Sequence, residues 1–372
     1  MKKLIILLIS VFLISGCSYT EINDLAIASS IGIDYENGQY KLTAQIMDIK
    51  SSDSGMTKES ALIYESTGKT IAKAINNFSV RYPKNVYLGH LEFIILSKEA
   101  SEKKLEDIFD YFLRSPEART SSFIVIANEK SANDIMNPKN EQEGSFPTES
   151  LKSVLMDATK RNGTVNDTTL EEFLSFYLKT GIDPVVPLIK KTENKGMTAS
   201  ATVIEEMIPV SKNKVHIPLS KEESIAYNTL NNNYDEVVID CKYKNKDFGA
   251  LIYNPKSSVE VKIKNNQIDI TVNVKFESKI NEMDKKINLI NKDVHNKIKH
   301  EINKEMESYI KKLINYSKEN NVDTLGIGNQ IYKNYFKEYD KYKNKNLYEE
   351  ANINIKINNK MYRHGNINKG AA

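Results

Sequence analysis

The chain has 372 residues, 52 Lys and Arg against 49 Asp and Glu, a net charge of +3 and no tryptophan. Both signs of charge are interspersed, so no one-sign block offers itself to nucleic acid. With 40% hydrophobic residues, the chain can bury cores for two or three domains of about 100–200 residues each.

Lys2 and Lys3 precede an apolar stretch from Leu4 to Ile14, interrupted only by Ser10, and Ile14-Ser15-Gly16-Cys17 closes it. This is a secretion signal ending in a lipobox. The apolar core is too short for a transmembrane helix, which needs about 20 residues. Cleavage before Cys17 would leave a diacylglyceryl-cysteine, and two acyl chains give lasting membrane attachment where one is marginal. Cys241 is the only other cysteine. A lipidated Cys17 leaves it no disulfide partner, so stability has to come from burial.

Two strands, Leu25–Asp34 and Gln39–Ile46, flank the turn signal Tyr35-Glu36-Asn37-Gly38 and predict a hairpin. Ser51–Gly55 reads as a loop. Ile71, Ala74, Ile75 and Phe78 share a helical face, and Tyr87–Leu96 reads as one buried strand. Leu105, Ile108, Phe109, Phe112 and Leu113 predict a helix stopped before Pro116, followed by a strand at Ser122–Ala127 and a loop at Asn137–Glu149. Two more helices follow, one through Leu151, Val154, Leu155 and Ala158. The other runs through Leu170, Phe173, Leu174, Tyr177 and Leu178, behind a capping box at Thr168 and Glu171 and ended by Gly181 and Pro184.

The clearest periodicity comes late. Val259, Val261 and Ile263, then Asn265-Asn266, then Ile268 through Phe276 in alternation predict an antiparallel hairpin. Apolar residues from Ile287 to Leu313 at spacings of three and four predict a helix of about 30 residues lying across that sheet. A helix over 328–341, an alternating strand through Ile353, Ile355 and Ile357, and a turn at Asn358-Asn359 complete the chain. The order of elements implies an α+β fold with mostly antiparallel sheets and a long helix on the C-terminal one.

Catalytic and cofactor motifs fail on residue type. Gly68-Lys69-Thr70 resembles the tail of a phosphate loop, but Ile63 stands where its first glycine belongs, and a helix start explains it better. Gly326-Ile327-Gly328 lacks the third glycine of a dinucleotide fingerprint. The closest pair among His90, His216, His295, His300 and His364 is five residues apart, off the spacing of a helical metal pair. Cys241, inside an apolar run, reads as a buried small residue. Neither a catalytic residue, a cofactor nor a metal is expected.

Several stretches in order resemble the Ger(x)C family, the lipoprotein C subunits of spore germinant receptors. They are Cys17; Glu21–Ile27 with Asp24, continuing to Gly32-Ile33-Asp34; Gly68-Lys69-Thr70; Tyr87-Leu88-Gly89-His90-Leu91; Asp110–Thr120 with Arg114 and Arg119; and Asp323–Gly328 with Gly326. Ser18 stands where tryptophan often follows the family's lipidated cysteine. The resemblance implies three α+β domains and partnership with integral-membrane A and B subunits in the inner membrane of the dormant spore. The divisions expected are a signal peptide at 1–16, an N-terminal α+β domain at 17–97, a helix-rich middle α/β domain at 98–195 and a C-terminal α+β domain at 196–372. Within the last, 196–220 is a candidate to pack with the N-terminal domain.

The matched residues also carry local readings. Gly32 and Asp34 fit a strand end and turn, Gly89 a close backbone approach, and His90 a satisfied core histidine. Arg114 and Arg119 fit helix-end and strand-edge charges paired with acids. Besides a non-catalytic receptor subunit, a lipid-anchored solute-binding protein and a scaffold lipoprotein remain open on the residues alone.

Overall fold

The computed structural model describes residues 24–48, 60–137, 148–193, 200–283, 289 and 291–362. Cys17 and the signal segment lie outside the described residues, as do the 51–55 loop and most of the 137–149 loop.

Strands β1 (Leu25–Glu36) and β2 (Gln39–Asp48) form the expected hairpin. Its Asn37-Gly38 turn has positive φ at both residues, as a two-residue turn matched to strand twist requires. Strand β3 (Ser60–Gly68) pairs with β2, and helix α1 (Ile71–Arg81) starts where Thr70 Oγ1 accepts the Lys73 N–H at 3.1 Å. Gly68-Lys69-Thr70 is thus a strand end and helix cap.

The run from Tyr87 to Leu96 is two strands, β4 (Asn85–Tyr87) and β5 (Phe93–Leu96), both parallel to β1. Between them the chain turns, with Leu91 N–H bonded to Leu88 O and Glu92 N–H to Ser29 O. Helices α2 (Lys98–Lys103) and α3 (Leu105–Arg114) lead to β6 (Phe123–Ala127), parallel to β5. Next come α4 (Ala132–Met136), α5 (Thr148–Asn162) and α6 (Leu170–Tyr177). The capping box of α6 is Thr169 with Glu172, one residue beyond the expected pair, because Thr168 is turned inward to bond Val185 O. Strand β7 (Val185–Glu193) is parallel to β6, and β8 (Ser200–Ser211) and β9 (Lys214–Val215) close the sheet antiparallel. The order is β3-β2-β1-β5-β6-β7-β8-β9 in a nine-stranded sheet, with β4 beside β1. One sheet therefore crosses residues 97–98, and β8 belongs to it.

Alternate residues of β5 and β6 enter different cores. Phe93, Ile95, Phe123 and Val125 face one side and Ile94, Leu96, Ile124 and Ile126 the other. The second side is filled by α1, α3 and α6. The first is continuous with the C-terminal part: α7 (Lys221–Asn231), β10 (Glu236–Tyr243), β11 (Lys246–Lys264), β12 (Gln267–Glu282), α8 (Lys292–Asn320), α9 (Ile327–Asn334), α10 (Phe336–Tyr339), α11 (Leu347–Glu350) and β13 (Ala351–Met361). The four-stranded sheet β10-β11-β12-β13 is antiparallel except for β13, which runs parallel to β12.

Helix α8 has 29 residues, about 43 Å at 1.5 Å per residue. It buries Ile298, Ile302, Met306, Tyr309, Ile310 and Leu313 in the same core as the sheet's Ile239, Ile270, Val272 and Val274. Ile287 and Ile290, the first positions of its expected apolar stripe, lie outside the described residues. The helix expected at 328–341 is interrupted at Tyr335, between α9 and α10. Asn358-Asn359 is no turn. Both lie within β13, where the buried Asn359 Oδ1 accepts the Ser278 hydroxyl at 2.8 Å. Among the described residues no helix is long and apolar enough to cross a membrane.

Because Ile302 is fully buried between α8 and the sheet, Ile302→Ala should lower unfolding free energy by about 3 kcal/mol, within the usual spread for aliphatic cavities. Urea denaturation followed by circular dichroism checks it.

Candidate functional site at the joint of the two sheets

The segment Thr180–Pro184, between α6 and β7, meets the segment 321–348 of the C-terminal part. Asn329 N–H donates to Gly181 O at 2.6 Å, and Asn329 Nδ2 donates to Thr180 O at 2.8 Å. Gly181, at φ +74°, lies so close to Gly328 that a side chain on it would overlap the Gly328 backbone. Gly326, at φ +67°, packs on Ile182.

Two carboxylates organise the joint. Asp323 accepts the N–H groups of Ile327 (3.0 Å) and Gly328 (2.7 Å), the first turn of α9, and the Tyr348 hydroxyl at 2.8 Å. Asp183 accepts the Asp323 N–H at 2.7 Å, while its own N–H donates to Asp323 O at 3.0 Å. Burial pushes the Asp323 carboxyl up to about 6, with the nearby Asp183 charge adding to it and the three donors opposing it. Asp183 is also raised, chiefly by burial. Beside them is a cavity of about 550 Å³ walled by Gly181, Asp183, Lys212, Tyr339, Lys343 and Tyr348.

The remaining sequence-predicted residues fall into three places. Gly32 and Asp34 lie inside β1 and not at a strand end, and they dock α4. The Asp34 carboxylate accepts the N–H groups of Ala132 (2.7 Å) and Asn133 (3.1 Å). A Cβ on Gly32 would lie 2.8 Å from Met136 Sδ. Burial raises Asp34, against those two backbone donors.

Arg114 is exposed and pairs with Asp110 at 2.8 Å. It lines a groove of about 660 Å³ whose other wall is Lys69–Ala72, so two of the family-like stretches face each other. Gly68 stands at the end of β3, where a Cβ would come within 2.5 Å of Ala74 N.

Arg119 bonds Glu92 at 2.8 Å, and Lys152 of α5 bonds the same carboxylate at 2.8 Å, tying the 88–92 turn to two elements. Gly89 packs against the Tyr87 ring. His90 is exposed, not a core residue, because the turn between β4 and β5 carries it outward, edge-on to Tyr87 at 6.1 Å. Asp24 is exposed just before β1. Of the predicted set only Gly326 belongs to the joint. Asp183 and Gly181 escaped the sequence reading, since nothing local marks a contact to residues about 140 positions away, as did Tyr348, whose partner Asp323 lies 25 residues before it.

Among the described residues, the buried histidine is His216. Its Nε2 lies 2.6 Å from Ser211 Oγ, and burial, then Lys214, lowers its pKa to about 4. Cys241 is buried in β10, and burial pushes its thiol up to about 12, which makes it unreactive.

Residues 18–191 match the family model for the spore germination protein N-terminal domain, and residues 210–365 match the spore germination B3/GerAC-like C-terminal model. The chain belongs to the Ger(x)C family of spore germination proteins. It is 24% identical over 387 residues to spore germination protein KC of Bacillus subtilis (strain 168), covering 97% of this chain and 95% of that protein. Spore germination protein B3 of the same organism is 26% identical over 208 residues, 55% of each chain. The crystal structure of the GerBC protein shares the fold, with a TM-score of 0.57 at 17% identity, covering 90% of this chain and 97% of that one.

Gly181→Ala should destabilise the protein by about 1–3 kcal/mol, through both its positive φ and the Gly328 contact; thermal denaturation measures it. Between about pH 4 and pH 7 the raised carboxyls of Asp323, Asp183 and Asp34 work against the lowered His216. Asp323 titrates near 6 when folded and near 3.8 unfolded, so the folded chain holds the extra proton and stability falls as pH rises between those values. His216 titrates near 4 folded and 6.5 unfolded, so its contribution is present above 6.5 and lost as pH falls toward 4. Asp323 and His216 each contribute at most about 3 kcal/mol, with opposite sign. Relative to the unsubstituted chain, His216→Gln should therefore make the slope of stability against pH more negative between about pH 4 and pH 6, and Asp323→Asn should make it more positive, as read from urea midpoints across that range.

Proposed function

We propose that the chain is the lipid-anchored, non-catalytic C subunit of a nutrient germinant receptor. Diacylglyceryl-Cys17 holds it at the outer face of the cell membrane, the spore's inner membrane, beside integral-membrane A and B subunits. The observation that carries this reading is the family match, which spans both halves of the chain in order. Its physical logic is effective concentration: a tether confines the domains to the membrane plane, where weak contacts with co-resident subunits suffice.

Action by contact and not catalysis is supported by how the buried polar groups are used. Asp34, Asp183 and Asp323 spend their oxygens on backbone N–H groups, and the Cys241 thiol is buried and protonated. A solute-binding protein would need two lobes able to close on a cleft. Here one core runs from Phe93 of the first sheet to Tyr348, and a backbone contact at Gly181 and Gly328 pins the joint, which argues against that alternative.

Cys17→Ala should release the protein from spore membranes and sharply reduce germination in response to nutrients, as measured by fractionation and loss of optical density. A normal response with the protein in the soluble fraction would refute the tethered-subunit reading.

A further inference from the structure

Between residues 327 and 345 five aromatic residues alternate with five lysines, against two acids. Ile327, Ile331 and Tyr342 pack inward, and Tyr335 and Tyr339 are half-buried against the core. Phe336 is left 66% exposed and Tyr332 37% exposed, in edge-on contact at 5.3 Å, with Tyr339 on the other side of Tyr332 at 5.1 Å. Lys343 and Lys345 pair with Asp340 and Glu350. Lys333, Lys337 and Lys341 are exposed and, among the described residues, make no ion pair. Tyr339 lines the joint cavity, and on the rim of that cavity Leu178 is 71% exposed, followed by exposed Lys179. Rings that cluster outward beside unpaired ammonium groups suit an interface with apolar and anionic layers, where aromatic bodies seat at headgroup depth and lysines meet phosphates.

The topology places the 177–184 segment, which the patch adjoins at the cavity, relative to the start of β1. Strands β1, β5, β6 and β7 are parallel, with Ser30 opposite Phe93, Phe93 opposite Phe123 and Ile126 opposite Leu188. Their N-terminal ends thus share one end of the sheet. The 177–184 segment, which leads into β7, is at that end, about 14 Å across the sheet from β1 at the usual strand spacing. Leu25, five residues before Ser30, projects about 16 Å further in the same direction. Cys17 precedes Leu25 by eight residues, a reach of at most about 28 Å. An anchored Cys17 would therefore tether the molecule by this end.

We propose that Tyr332, Phe336 and Leu178, with Lys333, Lys337 and Lys341, form a second membrane contact that seats on anionic phospholipid headgroups and fixes the orientation of the tethered domains. The orientation rests on the anchored reading above; the patch itself is a separate observation.

The chain's lack of tryptophan makes Phe336→Trp a single-tryptophan reporter at an exposed position, with Tyr332→Trp as a second. In the full lipidated protein on vesicles of phosphatidylcholine with phosphatidylglycerol, emission from the Phe336→Trp variant should shift to the blue and be quenched by acyl chains carrying bromine. Omitting phosphatidylglycerol should abolish both effects. In the mature chain carrying Cys17→Ala, replacing Lys333, Lys337 and Lys341 with Ala should weaken partitioning to the anionic vesicles on the order of 100-fold, at about a factor of five per lysine. Both reporters staying water-exposed on vesicle-bound lipidated protein would overturn the proposal. So would quenching that appears only after the integral-membrane subunits are co-reconstituted, which would make the patch a protein-docking face. Mass spectrometry of the N-terminal peptide for diacylglyceryl-Cys17 tests the anchor independently, so failure of the anchor and failure of the patch give different results.

Discussion

Strands β5 and β6 are buried at every position, so the sheet they centre has to be covered on both faces. A parallel centre of this kind cannot face water. On one face the cover is local, supplied by α1, α3 and α6 from the crossovers between the strands themselves. On the other, α4 and α5 lie against the sheet, and the core continues past them into α7, the four-stranded sheet and α8. The two family domains therefore share a core, and that sharing explains why the joint at Gly181 and Gly328 can be a direct backbone contact.

The polar residues of the joint follow from that closeness. Two chain segments pressed together leave the N–H groups at the start of α9 in need of an acceptor from the chain itself. A buried carboxylate is the compact group that can accept two of them at once. Asp323 does so, and Asp34 does the same for α4 on the first sheet. Both carboxyls are pulled toward the protonated state by burial while their bonds favour the ionised one, so each is a local contest settled by the packing around it.

Elements encoded by neighbouring residues were legible in the sequence: the Asn37-Gly38 hairpin, the Val259–Phe276 alternation and the long apolar stripe of α8. Strands β7 and β8 were not, because each carries a proline, Pro187 and Pro209, and their pattern mixes lysines and glutamates with the apolar residues. Pairing at a distance supplies what local propensity withholds, as Pro187 finds Met207 and Pro209 finds Val185. The ordered family-like stretches pointed to positions that matter to the fold, but their partners were out of reach. Asp34 meets α4 nearly 100 residues later, and His90 reads as a core residue because apolar neighbours on both sides hide a turn. The joint was legible only as Gly326 and its flanking residues, since Asp183 and Gly181 carry no local sign of what they touch.

The parallel pairing of β13 with β12 has a kinetic side. Ile270 pairs with Ile353 across an intervening stretch that includes the whole of α8, so the strand that closes the second sheet follows α8 in the chain. Parallel contacts of such separation form slowly, since the closure entropy is lost before the pairing returns anything. Until Ala351–Met361 arrives, β12 keeps a free edge and α8 lacks part of its bed, which leaves the C-terminal half open late in folding.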